Sequence, residues 1–135
     1  MSDAARPPKV GGLLDAWPYA RLLGVRLETG GAGPIAVLPF APRLIGNPIL
    51  PALHGGVVAS FLELAALARL DAEGRRARTI DITVDYLRPA GPSVTYAEAR
   101  ILKLGRRAAN LAVEAWQEDR ARPVAALRGH FMILS

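Results

Sequence analysis

Residues 54–63 bring together residue types that can act on a carbonyl group. Glu63 lies inside the apolar stretch "VVASFLELAALARL" (57–70), where the only other charged residue is Arg69. An ionised carboxylate in apolar surroundings is costly unless it is paired or protonated. Such a group suits a general base or a nucleophile. The alternative is a structural ion pair between Glu63 and an arginine elsewhere in the chain.

Two glycines precede this acid and open the same predicted helix. The first N–H groups of a helix have no partners within it, and the helix dipole makes them attractive to a negative oxygen. Because Gly55 and Gly56 have no side chains, a ligand carbonyl can reach these donors, as an oxyanion site requires. The alternative is tight packing of a loop against a sheet, and a lone histidine such as His54 is more often structural than catalytic.

The spacing of Gly55 and Glu63 limits how they can cooperate. They are eight residues apart, which is about 12 Å along a helix axis. One helix therefore cannot bring both to the same carbonyl carbon. If both act, two copies of the helix must lie antiparallel across a two-fold axis, and we expect a homodimer with shared active sites.

The surrounding pattern predicts one long helix packed against an antiparallel sheet. We expect the helix from about residue 55 to 71, after a loop at 41–52 that is rich in proline. Residues 79–87 alternate strictly, with Ile80 and Ile82 on one face and Thr79 and Asp81 on the other. Five or six strands are expected in the segments 25–30, 34–40, 79–87, 93–104, 107–117 and 123–134. The predicted fold class is α+β.

Length and composition indicate one domain and argue against a metal site. The chain has 135 residues, so we expect a mobile arm at 1–12 and a single domain at 13–135. It has no cysteine and two histidines, too few for most metal sites. The N-terminal segment lacks the apolar core of a signal peptide, and no apolar run is long enough to span a membrane. A cytoplasmic protein with no membrane partner is expected.

The net charge of +5 favours an anionic partner. Aromatic residues make up 6% of the chain and are not interleaved with a basic run, so nucleic acid is not the expected partner. A phosphorylated ligand and a membrane surface are the other anionic partners that this charge allows.

Five motifs stand out along the chain: "GNP" (46–48), "LHGGVVASFLE" (53–63), "TIDITVDYLRPA" (79–90), "GRR" (105–107) and "AALRGHFMIL" (125–134). Their order and spacing resemble the hot-dog-fold acyl-CoA thioesterases of the phenylacetate-pathway (PaaI-like) type, from about Leu13 onward. The resemblance implies a long central helix wrapped by a curved antiparallel sheet, homodimers that assemble as a dimer of dimers, and hydrolysis of acyl-CoA. Coenzyme A is then part of the substrate, and no cofactor is implied.

By position, the resemblance assigns catalytic roles to five residues. Glu63 matches the catalytic carboxylate, and Gly55 matches the N–H donor to the oxyanion. His54 and Asn47 match residues that position the thioester, while Thr79 matches a hydroxyl that helps orient the water. Many relatives have Asp in place of Glu63, and the segment between Asn47 and His54 is one residue longer than usual. The resemblance does not decide whether Glu63 attacks the carbonyl or activates water.

Five further residues are expected to bind the substrate. Gly56 belongs to the helix start, and the others are basic residues at strand ends or at the turn around Gly105: Arg88, Lys103, Arg106 and Arg107. Such side chains can donate charge-assisted hydrogen bonds to the phosphates of coenzyme A. A solvated basic edge that prevents sheet aggregation is the alternative.

Two other functions are compatible with the same fold. One is an acyl-thioester hydratase or dehydratase, which the "HGG" sequence at 54–56 argues against. The other is a non-catalytic acyl-CoA-binding module. The presence of Glu63 argues against that module, because a pure binder would gain from an apolar residue at this position.

Overall fold

A computed structural model describes residues 17–134. The predicted arm at 1–12 and the first residues of the predicted domain, 13–16, lie outside these residues. The described elements, in chain order, are α1 Pro18–Leu23, β1 Arg26–Thr29, β2 Pro34–Leu38, a 3-10 turn Pro42–Leu44, β3 Ile45–Asn47, β4 Ala52–Leu53, α2 Gly55–Ala72, β5 Arg76–Tyr86, β6 Thr95–Leu104, β7 Ala108–Trp116 and β8 Ala125–Leu134.

Six of the strands form one antiparallel sheet that packs against α2. Their order across the sheet is β1-β2-β6-β7-β8-β5, and each neighbouring pair is antiparallel. Apolar residues alternate along the strands that face the helix, including Ala97, Leu111, Val113, Leu127 and Phe131, all of which are buried. The predicted α+β arrangement of one long helix against five or six strands is confirmed.

The long helix α2 is buried on most of its circumference, which explains its continuous apolar sequence. Phe61, Leu62, Ala66 and Leu70 are fully buried. The helix ends where Gly74 adopts a left-handed φ of 76°, a conformation that glycine tolerates best and that is common just after a helix. Its observed range is within one residue of the predicted one.

The strand β5 lies at one edge of the sheet and contains a β-bulge. Thr79 pairs with Phe131 and Asp81 pairs with His130, so Ile80 is an extra residue between them. The bulge turns Thr79 to the helix face together with Ile82, and it leaves Ile80 59% exposed. The strict alternation predicted for residues 79–87 is therefore wrong at its start, because one inserted residue reverses the faces on one side of it.

The segment predicted as a loop at 41–52 contains a small hairpin. Its strands β3 and β4 pair antiparallel, and the loop prediction is wrong for these residues. Strands of three and two residues are too short for alternation to be visible in the sequence. Gly46 is needed in this hairpin because a Cβ at that position would lie 2.8 Å from the Cα of His54.

The helix α2 and the strand β5 run antiparallel to each other. The start of α2 contacts the end of β5, since Tyr86 bonds to Gly55. The middle of α2 contacts the first half of β5, since Thr79 bonds to Glu63. Within residues 17–134, neither helix has the length and apolar character needed to cross a bilayer.

Candidate active site

Glu63 lies half-buried in the middle of α2 and is held by a hydroxyl group. Thr79 Oγ1 donates a hydrogen bond of 2.6 Å to Glu63 Oε2. Among residues 17–134, no Lys, Arg or His forms an ion pair with Glu63. The alternative of a structural ion pair therefore finds no support in this part of the chain. A carboxylate with one hydroxyl donor keeps lone pairs for a further partner.

The start of α2 is capped by the side chain of His54. His54 Nδ1 accepts a hydrogen bond of 2.9 Å from the backbone N–H of Gly56, and the His54 carbonyl accepts from the N–H groups of Val57 and Val58 at 3.0 and 3.1 Å. Since Nδ1 is an acceptor, the neutral ring carries its proton on Nε2. His54 is therefore the N-cap of α2, a position usually occupied by Ser, Thr, Asp or Asn.

These contacts distinguish the two glycines. The N–H of Gly56 is already used by His54, although we expected Gly56 to bind substrate. The N–H of Gly55 has no acceptor among the described residues, and Gly55 is exposed. Gly55 is thus the donor of the first helical turn that is available to a ligand.

Asn47 and His54 are held on the same small hairpin, at the end of β3 and directly after β4. Asn47 Oδ1 accepts hydrogen bonds from the backbone N–H groups of Ile49 at 3.0 Å and Leu50 at 3.4 Å. The side-chain oxygen of Asn47 therefore stabilises the turn that follows β3. This turn belongs to the segment between Asn47 and His54, which is one residue longer than usual. The side-chain amide of Asn47 remains on the surface and can donate to a ligand.

The four basic residues expected to bind phosphates lie at opposite ends of the sheet. Arg88 follows β5, close to the start of α2, and donates a hydrogen bond of 2.7 Å to the carbonyl of Pro123. The turn between β6 and β7 instead lies at the end of α2, where Arg75 donates to the carbonyl of Gly105 at 3.0 Å. One chain therefore does not bring Arg88 together with the other three basic residues, Lys103, Arg106 and Arg107.

A cavity of about 400 Å³ opens beside Gly55. It lies between the start of α2 and the segment that follows β5. Arg88 is its one charged residue, and Tyr86 is its one polar aromatic residue. Its larger aliphatic side chains are Leu53, Val58, Leu87 and Val124. The cavity can accommodate an apolar group next to the free N–H of Gly55, with a cation at the rim.

The structure adds Tyr86 to the residues around this helix start. Its hydroxyl donates a hydrogen bond of 2.9 Å to the carbonyl of Gly55. The alternation of residues 79–87 predicts Tyr86 on a strand, but it carries no signal for this contact, because the contact joins residues 31 positions apart. Within residues 17–134, no group of three or more His, Asp or Glu side chains is arranged to hold a metal ion.

Comparison with known proteins finds similarity to thioesterases, both in a family profile and in a single relative. A sequence profile described as the thioesterase superfamily matches residues 50–124. The medium/long-chain acyl-CoA thioesterase YigI of Salmonella typhimurium is 34% identical, with 76% of this chain and 77% of that protein covered.

Solved structures extend the comparison to the fold. A protein from Chromobacterium violaceum is 35% identical, with a TM-score of 0.72 and coverage of 93% of this chain and 90% of that one. The E. coli PaaI protein from the phenylacetic acid degradation operon has a TM-score of 0.80 at 19% identity, with coverage of 91% and 88%. The latter likeness concerns the fold alone, and it agrees with the predicted hot-dog fold.

Proposed function

The chain belongs to the thioesterase superfamily, and on that premise we propose that it hydrolyses an acyl-CoA thioester to a free acid and coenzyme A. Acyl-CoA is the substrate in the name of the Salmonella relative. The apolar cavity beside Gly55 is compatible with an acyl chain, and Arg88 at its rim is compatible with a negatively charged substrate.

The observation that carries this proposal is the Glu63 carboxylate, which Thr79 holds and which no cation neutralises within residues 17–134. In the proposed reaction an oxygen nucleophile adds to the thioester carbon. The nucleophile is the Glu63 carboxylate itself or a water that Glu63 deprotonates. The C–S bond then breaks, coenzyme A leaves as the thiol, and water supplies the second oxygen of the acid.

Gly55 is proposed as the donor to the oxyanion. Gly55 is exposed, and its N–H lies at the positive end of the α2 dipole and has no acceptor among the described residues. His54 and the side-chain amide of Asn47 lie on the adjacent hairpin. We assign these two residues to positioning the thioester.

A complete site is proposed to form between two copies of the chain. Gly55 and Glu63 lie on one regular helix, about 12 Å apart along its axis. Among the described strands, β5 is paired on one side only, and antiparallel pairing with the β5 of a second copy would cover this edge of eleven residues. Because α2 runs antiparallel to β5, the same pairing brings the Gly55 end of one helix towards Glu63 of the other.

The test is release of coenzyme A thiol from a panel of acyl-CoAs, read with a thiol reagent. The chain has no cysteine, so the reagent reports only the product. Straight-chain acyl-CoAs of increasing length and one aromatic acyl-CoA form the panel, and Glu63→Gln is the matched inactive control. We expect release that depends on Glu63. Binding of acyl-CoA without release would instead support the non-catalytic module.

A further inference from the structure

The peptide group that joins Gly55 and Gly56 is held at both of its polar atoms. Its carbonyl accepts a hydrogen bond of 2.9 Å from the hydroxyl of Tyr86. Its N–H donates a hydrogen bond of 2.9 Å to Nδ1 of His54. A side chain from β5 and a side chain from the hairpin thus fix one peptide plane from two sides.

This restraint matters because two adjacent glycines have more conformational freedom than any other residue pair. The free donor, Gly55 N–H, belongs to the preceding peptide group, whose carbonyl is held by Val57 and Val58. The direction of the Gly55 N–H therefore depends on the backbone angles of Gly55. The two hydrogen bonds to the following peptide plane help to limit those angles.

We propose that Tyr86 is a positioning residue for the oxyanion donor, acting through the carbonyl of Gly55. This inference rests on the proposed function of the Gly55 N–H. Donors in an oxyanion site are effective because they are oriented before the charge develops. Among the described residues, the hydrogen bond to the Gly55 carbonyl is the one that the Tyr86 hydroxyl makes.

The first test compares Tyr86→Phe with wild type on the best acyl-CoA of the panel. The change removes one hydrogen bond, and we expect kcat to fall about five- to tenfold while KM changes less than twofold. Tyr96→Phe is the matched control, since it also removes one tyrosine hydroxyl. The ring of Tyr96 stacks on Trp116 and lies on the opposite face of the sheet. We expect the control to keep both constants.

The second test does not depend on activity. Hydrogen exchange of the Gly56 amide reports how long the peptide plane stays bound to His54. Exchange should be several-fold faster in Tyr86→Phe and unchanged in Tyr96→Phe. If both exchange and kcat of Tyr86→Phe match wild type, the positioning role is overturned. Faster exchange in a protein whose wild type releases no thiol would uphold the restraint and reject the proposed function instead.

Discussion

Thr79 Oγ1 donates a hydrogen bond of 2.6 Å to Glu63 Oε2, and a β-bulge makes this contact possible. With regular alternation Thr79 would lie on the same face as Asp81, away from the helix. The extra residue Ile80 moves Thr79 to the helix face. Bulges are frequent next to active sites because they redirect a side chain at small cost to the sheet.

The first prediction concerns this hydroxyl. Thr79→Val keeps the shape of the side chain but removes the donor to Glu63, so we expect kcat to fall about tenfold or more, as for loss of a hydrogen bond to a charged group. Thr79→Ser should retain most of the activity. Thr83→Val is the matched control, since Thr83 is exposed on the outer face of the same strand. Equal kcat values for the three variants and wild type would exclude a role for Thr79.

The second prediction concerns the carboxylate itself. Glu63→Ala should lower kcat by about a hundredfold or more, the scale expected for loss of a general base. The thermal midpoint should stay the same or rise, because the variant no longer has a carboxylate in a largely apolar environment. Thiol release and thermal unfolding measure the two effects. Turnover close to that of wild type would mean that Glu63 is structural.

The sequence predicted those features that depend on local pattern. The range of α2 follows from its apolar run, and the hairpin of β6 and β7 follows from Gly105, whose N–H bonds to the carbonyl of Ala108 at 2.9 Å. The bulge at Ile80 was not predictable, because one inserted residue leaves the alternation of letters intact while it changes the pairing.

Contacts between distant segments were equally invisible in the sequence. The cap on α2 was missed because histidine is not among the usual capping residues. The separation of Arg88 from Arg106 depends on the direction in which each strand runs through the sheet. Only the topology of the fold supplies that direction, since both residues look alike as basic positions near strand ends.

The third prediction concerns the basic residues at the two ends of the sheet. Replacing both Arg106 and Arg107 by Ala should raise KM more than it lowers kcat, if the turn binds the phosphates of coenzyme A. Added salt should raise the KM of wild type by screening the same contacts, and should affect the double variant less. Arg26→Ala is the control, because Arg26 lies on β1 at the far edge of the sheet. A loss in kcat alone would exclude phosphate binding by these arginines.

The fourth prediction concerns stability near the end of α2. Burial raises the pKa of Asp71, and the nearby positive charge of Arg76 opposes this only in part. A carboxyl group whose pKa is raised by folding destabilises the folded state when it is ionised, and this penalty disappears as the pH falls through the folded pKa. Asp71→Asn should therefore raise the thermal midpoint at neutral pH, and the gain should shrink in acid.

Thermal unfolding of Asp71→Asn and wild type over a range of pH measures this effect. Glu118→Gln, which removes an exposed carboxyl in the turn between β7 and β8, is the control and should change the midpoint little. A gain for Asp71→Asn that is independent of pH would mean that the charge of Asp71 is not its cause.

The fifth prediction concerns a site shared between subunits. Gly55→Pro removes the N–H donor, and Glu63→Ala removes the acid. In a mixed dimer, one composite site carries both changes and the other carries neither. Mixing the two inactive proteins under conditions of subunit exchange should therefore restore up to about half of the activity per heterodimer.

The local geometry favours a folded Gly55→Pro variant. Gly55 is the first residue of α2, where proline is well tolerated, and His54 has a ψ of 131°, which suits the residue before a proline. Gly55→Ala keeps the N–H, and its Cβ would lie 3.5 Å from the hydroxyl of Tyr86, an ordinary contact. This variant should keep more activity than Gly55→Pro, which separates loss of the donor from crowding. If exchange of labelled subunits is demonstrated and the mixture still releases no thiol, each chain must contain its own complete site, and the β5 dimer is excluded as the catalytic unit.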